Sequence, residues 1–252
     1  MRYVRAAWGG RIVNGFIQGD EIALLYADKI TDPGAKPTGE RIKLADARLL
    51  APCAPTKIVA IGVNYRDHAG EMGHELPEEP IIFLKPPTSV VGPGDEIVRP
   101  PQSQRVDYEA ECAVIFAKMC RNVKAADAKQ YIFGYTCCND VTARDLQKKD
   151  GQWTRAKGYD TFCPLGPWIE TEFDDSDAPV ESRLNGQVMQ RSSTKYLIQP
   201  IDRLIEFVSS VMTLLPGDVL TTGTPSGIGP MQRGDEIEVE VGGIGILKNV
   251  VR

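Results

Sequence analysis

The chain contains only two histidines, His68 and His74, which leaves no imidazole cluster of the kind that builds a zinc or copper centre. None of its six cysteines (Cys53, Cys112, Cys120, Cys137, Cys138, Cys163) belongs to a C-x-x-C pair, so zinc ribbons and dithiol redox motifs are excluded. They read as reduced, mostly buried small residues, with the adjacent Cys137 and Cys138 pointing to opposite faces of a strand. No apolar run reaches the roughly 18 to 20 residues of a membrane-spanning helix, and Met1 to Trp8 lack the apolar core of a signal peptide. The expectation is a cytoplasmic protein with no membrane partner. Lysine and arginine form no concentrated patch, and 29 basic against 34 acidic residues give a net charge of −5, so nucleic acid is not an expected partner. What the chain does have is 42% hydrophobic and 25% charged residues over 252 positions, a composition that folds. Glycine (24) and proline (18) are abundant, which suits short strands and turns better than a helical bundle.

Three strand candidates open the chain: Tyr3 to Trp8, Arg11 to Ile17 and Glu21 to Tyr26, separated by Gly9-Gly10 and Gln18-Gly19-Asp20. A polar stretch from Asp28 to Gly39 follows. Pro52 and Pro55 then precede the apolar run Ile58 to Val63, placing a boundary near Cys53 between a small N-terminal β region (1–53) and a catalytic domain (54–252). Further strands are expected at Ile81 to Lys85, Glu96 to Arg99, Tyr108 to Ala117, Ile132 to Asn139, Val219 to Thr222, Glu236 to Val241 and Ile244 to Val250. Asn185-Gly186 marks a tight hairpin between Val180–Leu184 and Gln187–Arg191. One long helix is clear: Pro200 stands at its start, and Ile201, Leu204, Ile205, Val208, Val211 and Met212 recur at helical spacing as a core-facing stripe. The fold class is α+β, predominantly β.

The chemistry concentrates in Asp107-Tyr-Glu109-Ala-Glu111-Cys. Residues two apart on a strand share a face, so Glu109 and Glu111 project together with Cα atoms roughly 6.5 to 7 Å apart, close enough to share one cation. Asp107 lies in phase with them. A solvated edge would explain the same pattern, but Ala113 and Ile115 in that phase are apolar and point to the rim of a pocket. Asp140 emerges where the strand ending near Cys138 meets a helical stretch from Thr142 to Lys148, as an N-cap or as a third carboxylate. An oxygen-only trio suits Mg²⁺ or Mn²⁺, with Ca²⁺ as an alternative and zinc disfavoured.

On a helix, His68 and Glu71 stand three apart on one face, the spacing at which a carboxylate orients an imidazole. His74 falls on another face. Gly70, Gly73 and the run Glu75 to Pro80 read as a mobile catalytic lid. The stretch Thr222-Gly-Thr-Pro-Ser-Gly-Ile-Gly-Pro230 matches neither a phosphate loop nor a dinucleotide fingerprint, and reads as a tight turn or as a loop bringing N–H groups to a small anion.

Taken together, IGVNYRDHAGEM (61–72), IIFLKPPTSVVGPG (81–94), DYEAECAV (107–114), GYTCCNDVTARDLQKKDGQWTRAKGYDTFCPLGPW (134–168) and PGDVLTTGTPSGIGP (216–230) resemble the fumarylacetoacetate hydrolase family. The likeness runs from Lys57 to the C-terminus. It implies a mixed β-roll, usually in a homodimer, and a Mg²⁺ or Mn²⁺ site on Glu109, Glu111 and Asp140. It also implies a water-activating pair of His68 and Glu71 on a lid, Lys157 and Gln147 as charge-stabilising and substrate-positioning groups, Arg144 as support beside the metal, and a Gly223-Thr224-Pro225 loop holding the substrate carboxylate. Cys112 departs from the family's usual aliphatic residue, and His74 has no counterpart role.

The implied substrate is a small anionic 2-oxo acid or diketo acid. Three carboxylates less two metal charges leave −1, which Lys157 balances. The expected reaction is hydrolysis of a carbon–carbon bond in an acylpyruvate through a metal-stabilised enolate. An isomerase or decarboxylase of catechol or homoprotocatechuate degradation, acting on 2-hydroxyhepta-2,4-diene-1,7-dioate or an oxaloacetate-like acid, uses the same enolate. A non-catalytic dicarboxylate binder is the alternative of another class.

Overall fold

The computed structural model describes residues 1–73 and 76–252, so His74 and Glu75, the first residue of the expected lid run, lie outside the described residues. The expected β-dominated architecture is present. Ten strands of a 12-stranded sheet follow the path Pro37–Lys43, Glu21–Leu25, Arg11–Gln18, Arg2–Trp8, Cys163–Glu170, Ile132–Asn139, Ala110–Phe116, Val219–Thr221, Ile58–Gly62, Ile81–Lys85, with Arg48–Leu49 and Val90–Val91 pairing off it. A five-stranded sheet contains the hairpin Pro179–Leu184/Gln187–Ser193, and a three-stranded one centres on Val106–Tyr108. The hairpin turns as its sequence requires: Asn185 and Gly186 both take positive φ, 52° and 80°. The helices are α1 (Arg66–Met72), α2 (Arg144–Asp150), α3 (Thr154–Lys157) and α4 (Ile201–Val211). Among them, none is long and apolar enough to cross a membrane.

Both faces of Ala110–Phe116 are buried. Cys112, Val114 and Phe116 pack with Leu204, Ile205 and Val208 of α4, while Ala113 and Ile115 join Ile58, Leu165 and Val219. The solvated-edge reading of the acidic strand is thereby removed. The α4 stripe is core as expected through Val208, but Val211 is exposed, because the helix ends there and Met212 is already extended. Cys137 and Cys138 enter opposite cores, and all six cysteines are buried and free.

Three strand expectations need correction. Tyr108 to Ala117 is not continuous: it breaks at Glu109, whose N–H bonds the Asn139 side chain at 2.9 Å, so the preceding residues leave for the small sheet. Pro37–Lys43 lies partly in the stretch read as polar connection; it is an edge strand burying only Ile42, which leaves no alternation to read. Cys163–Glu170, with Pro164, Gly166 and Pro167, carries strand-breaking residues yet joins the N-terminal strands to the rest of the sheet.

The two strands that approach the site in parallel, Ile58–Gly62 and Val219–Thr221, are aligned by one buried carboxylate. Asp218 accepts the N–H groups of Thr56 (3.0 Å), Lys57 (3.2 Å) and Leu215 (2.8 Å), the Thr56 hydroxyl (2.6 Å) and the Lys57 ammonium. Burial alone would raise its carboxyl, but bonds from Lys57, Thr56 and Leu215 outweigh it and hold the group below its ordinary value. Asp218→Ala should cost about 3–5 kcal/mol at pH 7, measured by urea unfolding. Because the folded value is depressed, that stabilisation is complete above an unfolded value of about 3.9 and fades as pH falls through the folded one. The gap between wild type and variant should therefore narrow only in acid.

Candidate active site

The strand break at Glu109 builds the centre. Glu109 and Glu111 flank the start of Ala110–Phe116, and Asp140 follows the adjacent strand Ile132–Asn139, its N–H bonded to the Glu109 carbonyl at 2.9 Å. One oxygen from each of the three acids lies within 4.8 Å of the others, and all three residues are buried. Asp140 is no helix cap: α2 starts at Arg144, after Ala143. Asp107, though in phase, stays out of the trio and pairs with Arg144 (2.9 Å) and Arg105 (2.8 Å).

Each acid is aimed by a second contact. Glu109 Oε1 accepts the Arg144 guanidinium and, at 3.0 Å, the Thr142 hydroxyl; its Oε2 accepts Lys157 Nζ at 2.8 Å. Lys157 also reaches Asp140 Oδ2 at 2.7 Å, and Lys85 Nζ takes Asp140 Oδ1 at 2.6 Å. Glu111 Oε2 accepts the Gly223 N–H at 2.8 Å. The consequences diverge. Burial would raise Glu109, but Lys157 and Arg144 overcome it and hold the carboxyl well below its usual range. Burial, then the charges of Asp140 and Glu109, push Glu111 well above its own. Burial opposes the charge on Lys157, yet Asp140 and Glu109 more than compensate and keep it an ammonium. A trio of buried like charges, one of them short of a positive partner, fits a hard divalent cation with oxygen ligands.

The charge count expected from sequence is corrected here. Asp107, Glu109, Glu111 and Asp140 are opposed by three buried cations, Lys85, Arg144 and Lys157, rather than by Lys157 alone. With all four acids ionised around a divalent ion, the buried group would carry +1, and without Lys85 it would be neutral.

His68 and Glu71 share α1 as expected, with His68 Nδ1 and Glu71 Oε2 3.0 Å apart. A carboxylate acceptor at Nδ1 selects the tautomer with its proton there and leaves Nε2 turned away from Glu71. The glycine-rich loop does bring N–H groups to anions, but the anions are the protein's own: Gly223 serves Glu111, and Gly227 donates to Glu71 Oε1 at 3.0 Å. Ser226 adds a bond to Asp67 at 2.8 Å, so α1 is latched to the loop at two points. Both glycines sit at positive φ (91° and 97°), and a Cβ would fall 2.8 Å from Asn64 Cβ at Gly223 and 2.3 Å from the Met189 carbonyl at Gly227.

One cleft is lined by His68, Glu109, Arg144, Gln147, Lys157 and Thr224, together with Ile61, Gly62, Val63, Phe83 and Trp153. Glu71, Glu111, Asp140 and Gly223 stand directly behind this lining through the contacts above. Gln147 Oε1 accepts from Arg144 at 2.7 Å. The Thr224 hydroxyl donates to the Ala110 carbonyl (2.9 Å) and accepts from Gln190 (2.8 Å).

Sequence reading missed several contributors. Phe83 and Trp153 pack edge to face (5.2 Å between centroids, 72°) and form the apolar wall, with the indole against the bare backbone of Gly62. Gln190 is buried and uses both ends of its amide, accepting from Ala110 N and donating to Thr224 and Pro225. Val63, β-branched, is held at φ 53° beside the cleft, the kind of backbone strain that sites retain. Lys85 gave one signal, a charged residue ending an otherwise apolar strand, but nothing local tied it to Asp140.

Comparison with known proteins identifies the family. Residues 57–252 match the model described as fumarylacetoacetate (FAA) hydrolase C-terminal, and residues 1–52 match one described as Rv2993c-like, N-terminal. The crystal structure of 5-carboxymethyl-2-hydroxymuconate delta-isomerase from Mycobacterium smegmatis superposes with a TM-score of 0.94 at 46% identity, covering 100% of this chain and 99% of that one. Maleylpyruvate hydrolase from Sphingobium sp. SYK-6, in complex with manganese(II) ion and pyruvate, gives 0.82 at 33% identity, covering 100% and 98%. The mitochondrial oxaloacetate tautomerase Fahd2a of Rattus norvegicus is 40% identical over 83% of this chain and 71% of its own length. With a family model spanning the whole of the acidic centre and solved relatives sharing the fold end to end, the chain belongs to the fumarylacetoacetate hydrolase family of enzymes.

Proposed function

We propose that the protein hydrolyses a carbon–carbon bond in an acylpyruvate or a related 2-oxo acid, using a divalent ion held by Glu109, Glu111 and Asp140, with Mg²⁺ or Mn²⁺ preferred. The observation that carries this reading is one cleft lined by both His68 and Glu109, with Glu71 bonded to His68 and with Glu111 and Asp140 grouped with Glu109 in a buried trio whose oxygens lie within 4.8 Å of one another. When bound, the ion supplies Lewis-acid polarisation of the substrate's keto oxygen. Lys157 and Arg144 bring positive charge to the same wall, where negative charge develops as the bond breaks. Gln147, its Oε1 held by Arg144, presents its amide nitrogen to orient the substrate. Phe83 and Trp153 exclude water along the apolar wall of the cleft, where the Phe83 ring centroid lies 5.1 Å from Lys157 Nζ. His68 Nε2 takes the proton of a water that attacks the distal carbonyl, and Glu71 stabilises the imidazolium that results. The bond between the attacked acyl carbon and C3 of the pyruvate half breaks, the acyl half leaves as a carboxylic acid carrying the water's oxygen, and the imidazolium returns its proton to C3 to complete pyruvate. We assign the segment carrying α1 the role of lid, with its two bonds to Ser226 and Gly227 as the closed latch.

A second reading is favoured by the names of the relatives: an isomerase or tautomerase shifting a proton on an oxaloacetate-like or dienoic dioate substrate. It needs the same polarised keto group and a base, but no attacking water. Assays with acetylpyruvate, oxaloacetate and 2-hydroxyhepta-2,4-diene-1,7-dioate, each with Mg²⁺ and with EDTA, separate the two. Release of pyruvate and acetate from acetylpyruvate, abolished by EDTA, supports hydrolysis. Isomerisation without pyruvate release overturns it.

A further inference from the structure

Lys85 closes the edge strand Ile81–Lys85, and its side chain is fully buried beside an equally buried Asp140. Its ammonium lies 2.6 Å from Asp140 Oδ1 and 3.4 Å from the Val141 carbonyl. Asp140 Oδ2 is taken by Lys157, so the same carboxylate faces two buried cations. That is more positive charge than orientation of one acid requires, and it competes with any cation bound there. The excess has a consequence for anions: Lys85 is what turns the divalent-loaded group from neutral to +1.

We propose that Lys85 is an electrostatic positioning residue: it gives up part of the metal affinity of the Glu109–Glu111–Asp140 centre to keep the loaded cleft positive toward a 2-oxo acid anion. The inference rests on the metal-centre reading above. A residue that merely orients Asp140 would strengthen metal and anion binding together. A residue acting through charge sets them against each other, since a positive charge at this range repels the metal and attracts the anion.

The test uses the full chain with three substitutions. Lys85→Met removes both charge and hydrogen bond, Lys85→Gln keeps a donor without the charge, and Lys85→Arg keeps the charge. Mn²⁺ affinity is read from free-ion electron paramagnetic resonance. Affinity of the Mn²⁺-saturated protein for oxalate, a planar mimic of a 2-oxo acid enolate, is read by calorimetry. Both neutral variants should bind Mn²⁺ more tightly and oxalate about tenfold more weakly, whereas Lys85→Arg should stay within about threefold of wild type on both. Parallel weakening of both ligands, or no change in either, overturns the proposal. So does unfolding of both neutral variants while Lys85→Arg folds, which would assign the charge to stability alone. Failure of the wild type itself to bind Mn²⁺ would instead sink the metal-centre reading on which this one depends.

Discussion

Glu111→Gln protein should turn over substrate about a thousandfold more slowly than wild type at saturating Mg²⁺. The substitution keeps the shape of the side chain and leaves an oxygen for the Gly223 N–H, so packing is conserved and one negative ligand is lost. Loss of Lewis-acid polarisation worth about 4 kcal/mol accounts for three powers of ten. The same variant should be more stable than wild type in EDTA. Glu111 is fully buried between Asp140 and Glu109, and burial followed by those two charges disfavours its ionised form. Neutralising it relieves that repulsion, and a gain of about 1 kcal/mol appears as a Tm rise of about 2–4 °C for a chain of this size. Lower activity with higher metal-free stability is the signature of a group retained for a cation. Lower activity with lower stability would mark Glu111 as a structural acid.

His68→Ala should lower hydrolysis of an acylpyruvate by about 10²- to 10⁴-fold, the usual range for a positioned general base. Oxalate affinity of the Mn²⁺-loaded protein should stay close to wild type, because the acids and their cations contact Arg144, Thr142, Lys157, Lys85 and Gly223 rather than the imidazole. Glu71→Gln should show a smaller loss, since an amide still accepts from Nδ1 but no longer balances an imidazolium. Steady-state kinetics with acetylpyruvate and calorimetry with oxalate read the two quantities separately. Unchanged hydrolysis in His68→Ala would remove the residue from the mechanism.

The glutamates of the acidic trio were legible as two acids two positions apart beside a buried strand, although the chain breaks between strands at Glu109; Asp140 read equally as a helix cap until the family resemblance joined it to them. The His68–Glu71 pair was legible because one turn of helix fixes its spacing. The hairpin at Asn185-Gly186 needed only turn chemistry. The break at Glu109 was hidden because its cause is the Asn139 side chain, 30 residues away. Lys85 was hidden because a lysine ending a strand looks like any edge residue until Asp140 is placed against it from 55 positions on. The loop at 222–230 showed its capacity to bind anions but not that Glu111 and Glu71 use it, since both contacts cross more than 100 residues. Cys163–Glu170 was unreadable because its prolines and glycine argue locally against the strand that tertiary pairing imposes.

The most direct test of the central claim is a Mn²⁺ titration of purified, EDTA-stripped protein followed by electron paramagnetic resonance, alongside Asp140→Asn and Glu109→Gln. The account predicts one tight ion per wild-type chain and loss of that ion in either variant. Absence of a tight stoichiometric ion in the wild type, or its undiminished retention in both variants, would contradict it.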